Sequence, residues 1–198
     1  MLGMFDSWYR RAAADPMRIV LADGGDERAV EAAGRLRADG LAEPVVVGRD
    51  VGSIAEVGHP AADELAEWLA VADEDGPWVG RPMALEDPLV IAAVLVKSGW
   101  ADGGVGGASR STPDVVRTAI RFIGMRPHSE AVSSCFLMVL HDGTPIVYGD
   151  CGVIPEPDER QLATIAVDSA ATYEALTGHD ARVAMLSFST VGSAEHFR

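Results

Sequence analysis

The sequence predicts an α/β fold built on a mostly parallel sheet, and three observations carry that prediction. Short β-rich runs alternate with stretches of helical apolar spacing, glycine- and hydroxyl-rich bends follow the runs, and helix-start signals follow the bends. The first two runs are Arg18 to Ala22 (RIVLA) and Pro44 to Gly48 (PVVVG). Between them, Asp26 to Asp39 has alanine, leucine and arginine at helical spacing. Asp26 and Glu27 sit where a helix favours negative charge, and Gly40 sits where a helix stops. The three pieces form a βαβ unit.

Residues 51–60 are weakly patterned and 61–72 read as a helix. The polar, glycine- and proline-rich stretch 73–82 is expected to be the most mobile part of the first half. A helix follows from about Leu85 to Ser98, then a short strand from Ala101 to Val105 and a helix from Pro113 to Ile123. Ala131 to Leu140 and Pro145 to Gly149 flank the tight-turn sequence HDGT and predict an antiparallel hairpin. The proline-rich run Val153 to Pro157 leads to a long helix from Asp158 to Leu176, and Arg182 to Leu186 is expected as the last strand. The hairpin marks a change of domain near residues 126 to 131, with a first domain at 1–128 and a second at 129–198.

Composition narrows the function. Of 198 residues 48% are hydrophobic, enough for a buried core, yet no apolar run approaches the ~20 residues of a membrane-spanning helix. The first residues lack an export pattern, which predicts a cytoplasmic location. The formal charge of −14 excludes nucleic acid as a general partner, because a phosphate backbone is bound mainly through positive charge. An anionic ligand has to be gripped locally. Fifteen of the sixteen basic residues are arginine, which points to guanidinium forks, backbone amides and hydroxyls as the grip. Cys135 and Cys151 read as buried reduced thiols. The five histidines show no pair at ligand spacing, so no metal site is expected, and no G-x-S-x-G elbow marks a serine hydrolase.

Two loops carry the candidate chemistry. DGGVGGASRSTPDVVR, Asp102 to Arg117, runs from a strand through a glycine bend into a helix with Pro113 at its first position. Ser111 or Thr112 caps that helix, its amides can attract an anion, Gly106 and Gly107 allow close backbone approach to a ligand, and Arg117 lies one turn further on. The same sequence also suits a purely structural capped turn. RVAMLSFSTVGS, Arg182 to Ser193, repeats the logic with Ser187, Ser189, Thr190 and Ser193 around Gly192. Ligands of open α/β sheets lie at the carboxyl ends of strands, where two such loops can share a crevice. Arg28 can add a third cationic contact, or simply pair with Asp26. Asp102, Asp114 and Asp150 lie near the loops, and none is identifiable as a base.

Taken together, VLADGGDER, DGGVGGASRSTPDVVR, YGDCGVIPEPDERQLATIAVDSA and RVAMLSFSTVGS resemble the phosphate acetyl/butyryltransferase family, and the last two motifs look closer to its acetyl than its butyryl members. The resemblance implies reversible acyl transfer between acetyl phosphate and coenzyme A, with coenzyme A as substrate, no bound cofactor, no metal and no covalent enzyme intermediate. It implies two three-layer α/β/α domains like those of isocitrate and isopropylmalate dehydrogenases, a site in the cleft between them, and a homodimer. Arg117 looks like the family arginine that binds phosphate or the acyl group, and Arg28 like one that contacts a coenzyme A phosphate. Ser189, Thr190, Gly192 and Ser193 match the family's serine-threonine-glycine-serine loop, with Ser187 beside it, opposite a wall of Ser111, Thr112 and Arg117.

Three positions depart from the family pattern. Val191 stands where a lysine is usual and Arg110 where a histidine is common, and the run EWLAVADEDGPW lacks an expected arginine. The family's catalytic aspartate and serine-arginine pair fall beyond Arg198, so the chain reads as an amino-terminal part with an incomplete second domain. The faces that the last strand and the Asp158 helix turn toward the absent part predict marginal stability. Competing readings are a non-catalytic acyl-coenzyme A or acetyl phosphate sensor, and a remnant that pairs with a separately encoded half. A dehydrogenase of the same fold is disfavoured by the lack of a metal-binding aspartate cluster.

Overall fold

The central strand of the parallel sheet is β1 (Met17–Leu21), flanked by β2 (Ala42–Val46) and β3 (Gly103–Val105) in the order β2-β1-β3. The computed structural model describes residues 2–64, 67, 86–127, 129 and 131–186. Both pairings are parallel, with Met17 opposite Ala42 and Ile19 opposite Gly103. Alternation along β1 decides which helix covers which face. Ile19 and Leu21 pack with Ala29, Val30 and Ala33 of α2 (Glu27–Ala38), whereas Val20 joins the cluster made by α3 (Pro88–Lys97). A sheet with a helix on each face is the α/β arrangement the alternating pattern predicts.

The two covering helices begin as their sequences direct. Asp26 caps α2 by accepting the Arg28 amide, so the helix starts one residue later than the charge pattern suggests. Asp87 caps α3 in the same way through the Leu89 amide, with Pro88 in the first turn, which places the start after the expected Leu85. Every residue from Leu89 to Leu95 is buried, so α3 is apolar on all sides and forms the centre of the core. After β3 comes α4 (Thr112–Thr118), which widens into a π-helical turn at Ala119–Ile123. The chain also opens on a helix that the sequence reading did not assign, α1 (Leu2–Ala14).

Phe5–Met125 form one compact unit, and Met1–Met4 with Arg126–Arg198 form a second. In the second, β4 (Cys135–Val139) and β5 (Pro145–Gly149) form the expected hairpin, with Phe136 opposite Tyr148. It packs on α5 (Glu159–Thr177), which Asp158 and Gln161 start with a reciprocal capping box and Gly178 ends in the left-handed conformation. The outward face of the hairpin shows Phe136, Met138 and Tyr148, about half exposed.

Other expectations are corrected. Residues 182–186 are not a strand: they pair with no neighbour among the described residues and leave Val183, Met185 and Leu186 exposed, and a strand exists only through its ladder. Cys135 and Cys151 are unbridged but half-buried, because the hairpin they flank is covered on one side only. Of the helix expected at 61–72, residues 60–64 and 67 are helical, and the rest, with the loop at 73–82, lies outside the described residues. No described helix is long and apolar enough to cross a membrane.

Leu95 is fully buried among the α3 neighbours. Leu95→Ala is expected to lower unfolding free energy by about 3 kcal/mol in urea titrations, whereas Val167→Ala, at an exposed position of α5, is expected to change it by less than about 0.5 kcal/mol.

Candidate functional site at the carboxyl edge of the parallel sheet

Two residues beyond β1 the chain places Asp23, which is only 5% exposed. Its carboxylate accepts the amides of Gly107 (2.9 Å), Ala108 (3.0 Å) and Ser109 (3.1 Å) and the Ser109 hydroxyl (2.6 Å). One buried acid therefore fixes the bend that follows β3. Burial pushes this carboxyl up, but the Ser109 hydroxyl and the three amides outweigh it and hold the group below the usual carboxylate value. The sequence reading assigns these loop glycines to close approach by a ligand. Gly106 is also required for packing, since a Cβ there would lie 2.8 Å from a Leu89 methyl and 3.4 Å from Ala22. Gly107 has φ +107°, a backbone conformation that favours glycine.

A cleft of about 420 Å³ opens beside this bend, between the ends of β1 and β2 and the start of α3. Its floor is Ala22, Val47 and Leu89, and its rim carries Arg49, Arg110 and Asp87. Gly24 lines it where any side chain would run into the Val47 carbonyl oxygen. Arg49 donates to the Gly24 carbonyl at 3.0 Å and to Glu27 at 2.9 Å. Arg110 pairs with Asp87, tying the bend to the cap of α3.

The expected site residues divide into three groups. Arg28 does pair with Asp26 (3.0 and 2.6 Å), and it also donates to the Ala108 carbonyl at 3.0 Å, so it reaches the bend held by Asp23. The hydrogen bonds from Arg28 hold the half-buried Asp26 carboxyl at about 2. At the other end of the bend, Ser111 rather than Thr112 caps α4, Thr112 is its exposed first residue, and Arg117 pairs with Asp114 at 3.1 Å. Ser187, Ser189, Thr190, Gly192 and Ser193 lie outside the described residues.

The sequence reading missed Asp23, Arg49 and Asp87. A signal for Asp23 existed, because an aspartate between a β-rich run and two glycines is placed to accept backbone amides at a strand end. Asp150 has the same role in the second unit, accepting the amide and hydroxyl of Ser134 and the amides of Gly152, Val153 and Ile154. Burial raises this carboxyl, and the Ile154 amide, the Ser134 donors and the Val153 amide bring it well below the usual range. Among the described residues no cluster of three or more histidine, cysteine or acidic groups is placed to hold a metal.

Asp23→Asn presents an amide NH₂ to donors that need an acceptor, and an expected loss of about 2 kcal/mol is measurable by urea unfolding at pH 7. The folded-state pKa lies below the reference value of 3.8. The stabilisation is therefore present above pH 3.8 and lost as pH falls through the folded value, and the Asn variant is expected to lose stability less steeply below pH 4 than the parent.

The model of the family described as Phosphate acetyl/butaryl transferase matches residues 4–198. A phosphate acetyltransferase of Paracoccus denitrificans is 40% identical over 96% of this chain and 64% of its own length. One from Acetivibrio thermocellus is 34% identical over 98% of this chain and 65% of its own length. Among solved structures, a phosphotransacetylase from Streptococcus pyogenes superposes with a TM-score of 0.80 at 31% identity, covering 98% of this chain and 64% of that one. The EutD phosphotransacetylase from Staphylococcus aureus superposes with a TM-score of 0.74 at 32% identity, covering 98% and 63%. The chain thus spans a little under two thirds of the length of these relatives. Matched by the family model over residues 4–198, the chain belongs to the phosphate acetyl/butaryl transferase family.

Proposed function

We propose that this chain serves the reversible transfer of an acetyl group between acetyl phosphate and coenzyme A, as the phosphate- and coenzyme-binding part of a phosphate acetyltransferase. The observation that carries the reading is the family match over residues 4–198, supported by relatives that bear the name phosphate acetyltransferase. The reaction needs no resident cofactor. A coenzyme A thiolate attacks the acetyl carbon, negative charge develops on the carbonyl oxygen, and phosphate leaves. Ser111 and Arg117 are assigned to the phosphate, Arg28 to a phosphate of coenzyme A, and the cleft beside Gly24 to the nucleotide end of that molecule. Ser187, Ser189, Thr190, Gly192 and Ser193 are assigned to the acyl phosphate on the family pattern. The boundary near residue 126 is taken as that between the two domains, and the remaining third of the relatives as the source of the catalytic residues.

Coenzyme A and acetyl phosphate are highly charged, water-soluble substrates, which suits action in the cytoplasm, and the active form is proposed to be a homodimer. A binding-module reading is favoured by one observation, the absence of arginine from EWLAVADEDGPW.

Calorimetry on the purified 198-residue protein, with an acetyl-coenzyme A assay on the chain extended to the length of its relatives, separates these readings. Phosphate and coenzyme A are both expected to bind. Arg117→Gln is expected to weaken phosphate, and Arg28→Gln coenzyme A, by about tenfold or more, the scale of a hydrogen bond to a charged group. In the chain extended to the length of its relatives, turnover that falls with Arg117→Gln supports the enzyme and binding without turnover supports the sensor, while no binding of either ligand overturns both.

A further inference from the structure

Asp114 already occupies the two side chains assigned to the ligand's phosphate. Its Oδ2 accepts the Ser111 hydroxyl at 2.6 Å, its Oδ1 accepts Arg117 Nη1 at 3.1 Å, and its amide donates to Ser111 Oγ at 3.3 Å. One carboxylate thus bridges a hydroxyl and a guanidinium with two oxygens, the arrangement a phosphate group offers to the same donors. The Asp114 side chain is 46% exposed and that of Arg117 32%, so the pair can be reached from solvent without unfolding. Hydrogen bonding from Ser111, with the nearby Arg117 charge, keeps the Asp114 carboxyl below its usual value, so it is fully ionised at neutral pH. The pattern recurs around the bend, where Asp26 holds Arg28 and Asp87 holds Arg110.

We propose that Asp114 is a built-in competitor of the ligand anion, keeping Ser111 and Arg117 in donor orientation until an incoming phosphate group displaces it. The proposal rests on the assignment of Ser111 and Arg117 to phosphate. It concerns their side chains alone and assigns nothing to the amides of the short helix α4. A competitor lowers affinity by what its own contacts contribute, and an exposed ion pair contributes enough to matter by a factor of about two to five. A carboxylate that merely positioned Arg117 would have the opposite effect, because its removal would release the guanidinium and weaken binding.

The test is titration calorimetry of inorganic phosphate at low ionic strength into the 198-residue protein and four variants. Asp114→Asn and Asp114→Ala remove the charge, the second also removing any residual bond to Ser111. Arg117→Gln removes the principal donor, and Asp6→Asn, on the exposed face of α1, changes net charge by the same amount away from the bend. Far-UV circular dichroism and melting midpoints confirm that each is folded. Both Asp114 variants are expected to bind phosphate about two- to fivefold more tightly than the parent, Asp6→Asn to match the parent, and the gain to shrink at ~0.5 M salt.

Unchanged or weaker binding by folded Asp114 variants overturns the competitor role. If that result comes with loss of binding in Arg117→Gln, the phosphate assignment stands and the competitor role alone falls. Should Arg117→Gln bind as the parent does, or should no protein bind phosphate, the assignment falls and the proposal with it.

Discussion

The carboxylate of Asp23 is the constraint on which the candidate site depends. It stands at the end of the central strand, next to the residue where β1 hands over to α2, and it collects four hydrogen bonds from a segment more than eighty positions later in the chain. A bend rich in glycine has many conformations of similar energy, and a buried anion that can be satisfied by only one of them selects it. Arg28 then reaches Ala108, Arg110 reaches Asp87, and Ser111 is delivered to the start of α4, all from a segment whose shape is set by one acid. The same saturation makes Asp23 a poor proton acceptor, because its lone pairs are occupied and its carboxyl is held acidic. Its contribution is to geometry.

Much of this was legible in the sequence, and what was not has identifiable physical causes. RIVLA, PVVVG and the alternating helix signals gave the parallel sheet because period and capping are local properties, and Asp26, Pro88 and Asp158 act at helix starts as such residues do. The helix at Leu2–Ala14 was not legible because its first turn has no acidic residue to mark a start. Residues 182–186 have strand composition, but composition records a preference for pleated surroundings and cannot supply the neighbouring strand. Asp23 was quoted within VLADGGDER and still not singled out, because its partners lie far along the chain and nothing local announces them. Arg28 and Arg117 stand out as candidates because arginine beside a hydroxyl-rich bend is a chemical signal that does not depend on distance in sequence.

The way the bend uses its polar groups bears on the anion recognition proposed for it. Glycine-rich loops that cradle phosphates do so with free backbone amides. Here the amides of residues 107–109 face Asp23, which leaves the proposed recognition on this side of the sheet to guanidinium and hydroxyl groups. In a chain of net charge −14 those cations do not stand free either: Arg28, Arg49, Arg110 and Arg117 each have an acidic neighbour. The edge of the sheet is therefore locally neutralised, and the anion binding proposed there is an exchange of partners rather than the filling of an open positive hole.

Asp87 links that edge to the interior. One of its oxygens caps α3 through Leu89 and the other pairs with Arg110 on the cleft rim. Since Leu89 to Leu95 of α3 are all buried, Asp87 ties the rim cation to a close-packed helix rather than to a loose surface segment. Mechanical stiffness is thereby carried from the hydrophobic centre to a solvent-facing charge through a single side chain. Sequence drift in the α3 interior would consequently be felt at the cleft as a shift in where its positive charge sits, well before it was felt as a loss of fold.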